Sequence, residues 1–160
     1  MQKATFGAGC FWQVETAFRK IKGVKDAVVG YTGGNFDNPS YQDVCTGKTG
    51  HAEAVQVTFD PKIVSYNKLL DVFWNAHDPT QLDGQGLDIG SQYRSAIFYH
   101  NNQQKKEAIE SLNKEQKNKS NKVVTEITSA TTFYKAEECH QQYLNKSMLT
   151  KMKDSFKRIL

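Results

Sequence analysis

Residues 51–78, HAEAVQVTFDPKIVSYNKLLDVFWNAHD, change hydrophobic period within one short run. From Ala52 to Phe59 apolar residues recur at every second position, which predicts a strand. Pro61 follows, and Ser65 is placed to cap a helix carrying Leu69, Leu70, Phe73 and Trp74 on one face. The same alternation of element types recurs along the chain. KATFGAG reads as a short strand ending in a glycine turn, followed by a helix from about Phe11 to Lys20 that Gly23 ends. VKDAVVGYTGG is a second strand, RSAIFYH a further one, and a lysine-rich helix runs from about Asn102 to Lys119. KVVTEIT is the last strand, and KAEECHQQYL and MLTKMKDSFKRIL close the chain as one or two helices. Strands and helices are interleaved, with at least one antiparallel pair expected. The fold class is therefore α+β, a two-layer α/β sandwich with a mixed sheet. Neither a repeat nor a boundary divides the chain, so one domain is expected over 1–160, with a helical extension over about 146–160.

Two stretches break the pattern. Residues 33–50 and 79–93 are polar and rich in glycine, and loops of that length without an apolar period are expected to carry function. The lysines do not add up to a nucleic-acid surface, because the net charge is only +4 and the densest run carries acidic residues at helical spacing. No run is long and apolar enough for a signal peptide or a membrane span, so a cytoplasmic protein is expected, with no membrane partner. In that setting the sequons at Asn118 and Asn145 mean nothing. Three cysteines, Cys10, Cys45 and Cys139, are too few for a disulfide framework and fit no zinc spacing. His51, His77, His100 and His140 lack ligand spacing as well, so no metal is expected. GKT at 47–49 lacks the glycine at position 42 that a phosphate loop needs.

The stretch GAGCFWQVE, residues 7–15, holds the most chemistry. Cys10 follows two glycines and directly precedes a predicted helix, where unpaired amides and the helix dipole favour an anion. Since the thiolate is the nucleophile, that position suits a reactive thiol; it equally suits a small buried residue at a strand–helix junction. Phe11 and Trp12 point about 100° apart on a helix. They can form an apolar cradle beside the thiol, or one ring can be core while the other staples the helix start. Read alone, Glu53 is a solvent-facing strand residue, and Tyr41 is an amphipathic lid.

GCFW, GYTGG, PSYQDVCTGKTGHAEAVQV, DIGSQYRSAIFY and AEECHQQYL, in that order, resemble the A-type peptide-methionine sulfoxide reductases over about residues 4–144. The resemblance implies a ferredoxin-like plait core and repair of oxidised methionine, the lesion that such enzymes reverse one epimer at a time. The substrate it implies is methionine S-sulfoxide, free or in proteins. It further implies that Cys10 is the nucleophile, that Phe11 and Trp12 hold the methyl group, and that Tyr41 and Tyr93 hydrogen-bond the sulfoxide oxygen. Glu53 then supplies the proton, Asp88 belongs to the polar network, and His140 and Tyr143 border the pocket. Under that reading Glu15, one turn along the helix, lies outside the chemistry. No cofactor is implied, and the protein is expected to be a monomer.

Turnover also needs reduction of the sulfenic acid left on Cys10, commonly through a second cysteine and then thioredoxin or another thiol reductant. Many family members carry that cysteine in a glycine-rich C-terminal tail, which this chain lacks. Cys45 stands where the family commonly has a cysteine and is expected to be a buried structural thiol. Cys139, beside the pocket-bordering histidine, is the expected resolving residue, although a regular helix would point it about 100° away from His140. Two other classes compete: a cysteine hydrolase or acyl transferase using His51 or His140 as base, and a methionine-binding module without turnover.

Overall fold

In the computed structural model, which describes residues 1–146, the alternation folds into one six-stranded sheet with helices on it. Strands β1 (Gln2–Ala8), β2 (Val24–Thr32), β3 (Ala52–Phe59), β6 (Ser95–Tyr99), β7 (Glu126–Ser129) and β8 (Tyr134–Lys135) stand in the order β7-β6-β1-β3-β2-β8. Helices α1 (Phe11–Arg19) and α3 (Tyr66–Asn75) connect β1 to β2 and β3 to β6. The central order β6-β1-β3-β2 is that of a ferredoxin-like plait, and β7 pairs with β6 in parallel where the other neighbours are antiparallel, so the sheet is mixed as expected. The remaining elements are the short helix α2 (Tyr41–Cys45), the two-residue strands β4 (Gly84–Gln85) and β5 (Asp88–Ile89), and helix α4 (Asn102–Lys117). No described helix is long and apolar enough to cross a membrane.

Residue parity decides which side chains meet. Ala4 and Phe6 of β1, Ala27, Val29 and Tyr31 of β2, and Val55, Val57 and Phe59 of β3 join one core with Phe18, Leu69, Leu70 and Phe73 from the helices. The opposite sheet face buries Ala52, Ala54, Ala96 and Phe98 under Ala130 and Phe133. Phe6 is the keystone of the larger core. Its ring stacks on Phe18 at 5.1 Å, Phe73 at 5.2 Å and Tyr66 at 6.0 Å. Phe6→Ala should therefore cost about 3–5 kcal/mol of unfolding free energy, read from urea denaturation; a loss below about 1 kcal/mol would contradict this packing.

Local caps explain the elements that were legible. Ser65 Oγ accepts from the Lys68 amide at 3.1 Å, and Asn101 Oδ1 from the Gln104 amide at 2.8 Å, which start α3 and α4. The stretch expected to be the helix KAEECHQQYL is not one. It forms two short 3-10 turns, Glu138–His140 and Tyr143–Asn145, separated by Gln142 in the left-handed region at φ 50°. The Gln141 carboxamide pairs with both Val29 N, at 3.0 Å, and Val29 O, at 2.9 Å, and also reaches Ala136 O. A side chain thus docks this segment onto the sheet in place of a helical ladder. The expected extension over 146–160 lies, apart from Lys146, outside the described residues.

Candidate active site

At the junction of β1 and α1, Gly9 adopts φ 89°, and a Cβ there would come within 2.7 Å of the Gln85 side chain. Only glycine fits both the turn and that close approach. The turn brings Cys10, half-buried, to the first turn of α1 beside the β4–β5 hairpin. The helix lacks a side-chain cap of its own. Its first amide, Phe11 N–H, instead donates to Glu53 Oε1 at 3.3 Å, so a carboxyl from β3 closes the helix start.

Glu53 shares the face of Val55, Val57 and Phe59 and is only 1% exposed, which overturns its solvent-facing reading. Its Oε2 is buried and has no hydrogen-bond partner among the described residues. Burial pushes its acidity to about pH 8, opposed by the Phe11 amide and reinforced by the charge of Asp88. The carboxyl is therefore mostly protonated at neutral pH.

The thiolate expected from the helix start is also overturned. Burial lifts the Cys10 thiol to about 11; the Trp12 amide pulls it down, the charges of Glu53 and Asp88 push it up, and the Gln13 amide pulls it down again. Two helix amides do not outweigh desolvation, the charge of Asp88 and, once it ionises, that of Glu53. Cys10 is a thiol at rest, which becomes a nucleophile only when it loses its proton.

The two rings divide, one into the core and the other beside it. Phe11 is core, 1% exposed, with its ring 5.8 Å from Tyr31 and 6.4 Å from Tyr41. Trp12 is half-buried, stacks on Tyr143 at 4.0 Å and on His140 at 5.7 Å, and donates its indole N–H to His140 Nδ1 at 3.2 Å. His140 is fully buried and also lies 4.3 Å from the Tyr41 ring. A wall of Phe11, Trp12, Tyr41, His140 and Tyr143 thus adjoins Cys10. Tyr93 follows the β4–β5 hairpin in the turn Ser91–Tyr93. Burial raises its phenol to about 12, with further contributions from the charges of Glu53, Cys45, Asp88 and Cys10. Asp88, exposed on the hairpin, bears electrostatically on Cys10, Glu53 and Tyr93. Cys10, Phe11, Trp12, Tyr41, Glu53, Asp88, Tyr93, His140 and Tyr143 are thus linked to one another by a hydrogen bond, a ring contact or the field of a charge.

Cys45, the last residue of α2, is exposed and not a buried structural thiol. Desolvation raises its thiol, the Tyr41 hydroxyl one turn earlier lowers it, and the charges of Glu53 and Glu137 raise it again. Cys139 is half-buried in the turn that ends in His140. Glu15 is buried and engaged elsewhere, accepting from Arg19 Nε at 3.0 Å and from the Gln142 amide at 2.8 Å. His51 is buried, its Nδ1 accepting from Gly34 N–H at 3.0 Å and its Nε2 donating to Phe36 O at 2.6 Å. With both nitrogens held by backbone, it cannot act as the base of a hydrolase.

The family model described as peptide methionine sulfoxide reductase matches residues 2–158. The chain belongs to this family. It is 60% identical over 148 residues to the peptide methionine sulfoxide reductase MsrA of Methanothermobacter thermautotrophicus, spanning 91% of this chain and 88% of the relative. Among solved structures, reduced Mxr1 from Saccharomyces cerevisiae superposes with a TM-score of 0.87 at 38% identity, covering 91% of this chain and 85% of that one. Mxr1 in complex with Trx2 superposes with a TM-score of 0.64 at 30% identity, over 89% and 84% of the two chains. Membership in the reductase family makes methionine sulfoxide the substrate class and does not favour the hydrolase and binding-module readings.

Proposed function

We propose that this reductase returns methionine S-sulfoxide, free or in proteins, to methionine through Cys10, in the cytoplasm. The observation that carries the mechanism is the Glu53 carboxyl: buried, protonated near neutral pH, and with Oε2 available beside the thiol. The Cys10 thiolate attacks the sulfoxide sulfur while Glu53 transfers its proton to the oxygen, and the sulfur–oxygen bond breaks. Thiolate, sulfoxide and one proton become a sulfenic acid on Cys10 and a free thioether. Negative charge builds on oxygen during attack. The Tyr41 and Tyr93 hydroxyls oppose that charge without adding a net charge to the pocket. Asp88 raises the proton affinity of Glu53 through its field. Phe11 and Trp12 supply the apolar surface for the methyl group, with His140 and Tyr143 backing Trp12.

Cys139 then attacks the sulfenic acid, giving a Cys10–Cys139 disulfide and water, which a thioredoxin dithiol reduces by exchange. Cys139 is half-buried in the same short turn as His140, but a 3-10 turn sets neighbouring side chains about 120° apart, so local unwinding has to bring the thiol to Cys10. The Mxr1–Trx2 complex supports thioredoxin as reductant. The test is reduction of resolved sulfoxide epimers by the native protein and by Cys139→Ser. Dithiothreitol should drive consumption of the S epimer alone in both proteins, while thioredoxin-driven turnover falls at least tenfold in the variant, the scale of losing an intramolecular thiol. Equal thioredoxin-driven rates would remove Cys139 from the cycle.

A further inference from the structure

The geometry points to Glu137 as a positioning residue for Tyr41, an inference that rests on the proposed role of the Tyr41 hydroxyl. Helix α2 has only five residues, and a helix of that length does not hold itself in place. Its capping box, Ser40 with Asp43, is internal and fixes shape without fixing location. The polar tie that joins its first amide to the sheet is Glu137, whose Oε2 accepts from Tyr41 N–H at 3.0 Å.

The other oxygen, Oε1, accepts from the Tyr31 hydroxyl, also at 3.0 Å. Tyr31 is fully buried in β2, with its ring against Phe11. Glu137 itself stands on a registered base: β8 pairs with β2 just before it, Ala136 N–H donates to Val29 O at 2.9 Å, and His140 N–H donates to Glu137 O at 2.9 Å. One exposed carboxylate thereby joins a buried phenol of the sheet to the residue that begins α2. A carboxylate suits this place because both partners are donors, and each oxygen serves one of them. Without it, the Tyr41 amide turns to water and the ring loses its fixed place over Phe11 and His140. The hydroxyl is then misplaced with respect to a reacting oxygen, although no group that touches substrate has been removed.

The experiment is a double-mutant cycle on dithiothreitol-driven reduction of a methionine sulfoxide peptide, with kcat and KM measured for Glu137→Ala, Tyr41→Phe and the double variant. Glu137→Ala should lower kcat about tenfold, on the scale of a modest misplacement of a catalytic group, with KM within about twofold. The double variant should be no slower than Tyr41→Phe alone. Glu137→Gln should restore most of the rate, since its amide oxygen still takes the Tyr41 N–H and its NH2 can donate to the Tyr31 oxygen. A native kcat in Glu137→Ala, or a full additive loss in the double variant, overturns the inference. A native kcat in Tyr41→Phe instead overturns the assigned role of Tyr41, and this inference with it. If Glu137→Ala does not fold, Glu137→Asp carries the same cycle, because its carboxylate is one methylene too short to span both partners.

Discussion

Cys10→Ser should leave no measurable reduction of a methionine sulfoxide, a loss of at least about 10⁴ in kcat/KM. Serine keeps the size of the side chain and the backbone turn at Gly9, so the pocket remains. What it loses is the chemistry. A hydroxyl is far harder to ionise than a thiol that already stands at about 11, and oxygen cannot accept the sulfoxide oxygen as sulfur does. Mass spectrometry after one equivalent of substrate gives the direct readout. The native protein should gain a single oxygen or form a disulfide at Cys10, and Cys10→Ser should gain nothing. Unfolding free energy should change by no more than about 1 kcal/mol, because the site is only half-buried. Residual turnover with oxidation mapped to Cys45 or Cys139 would show that another thiol can attack, and would sink the assignment.

How much of this was legible in the sequence depends on how local each cause is. β3 and α3 are read almost residue for residue because a two-residue period and a serine cap act within a few positions. Helix α2 hides in a polar loop, and its one local signal is the spacing of Ser40 and Asp43. β8 is two residues long and owes its place wholly to pairing with β2. Residues 136–146 carry apolar positions at helical spacing, yet the Gln141 side chain captures both polar groups of Val29, a contact across 112 positions of chain. At the site, the burial of Glu53 was available from parity alone, since it shares the odd positions of β3 with Val55, Val57 and Phe59. The resting state of Cys10 was not available. It depends on burial and on two acidic residues, Glu53 and Asp88, that only the fold brings near.

Those two acidic residues make the pH behaviour of the site a property of a pair. Glu53→Gln should lower kcat by about 10²–10³, the usual share of general acid catalysis, because an amide cannot transfer the proton to oxygen. The shape of the profile is more telling than its height. At neutral pH, with acidities near 8 and 11, Glu53 and Cys10 both hold their protons. Reaction needs a thiolate and an acid together, which is the pair with one proton removed. The native kcat/KM should therefore climb as pH rises through about 8, level off, and fall only near 11, the two limbs belonging to the pair as a whole. In Glu53→Gln the limb near 8 should vanish. The remaining rise follows Cys10 alone, at a value below 11, because the charge of Glu53 is one of the causes that raised it. Stability moves the other way. A folded-state acidity raised to about 8, against about 4.3 for an unfolded glutamate, means that the folded protein loses stability as pH climbs between those values. Below that window the native protein and Glu53→Gln should be equally affected by pH. Within it the variant should gain steadily on the native protein in urea denaturation, and above it the advantage should stay constant. A variant that kept its limb near 8, or gained no relative stability across that window, would mean that a group other than Glu53 holds the proton.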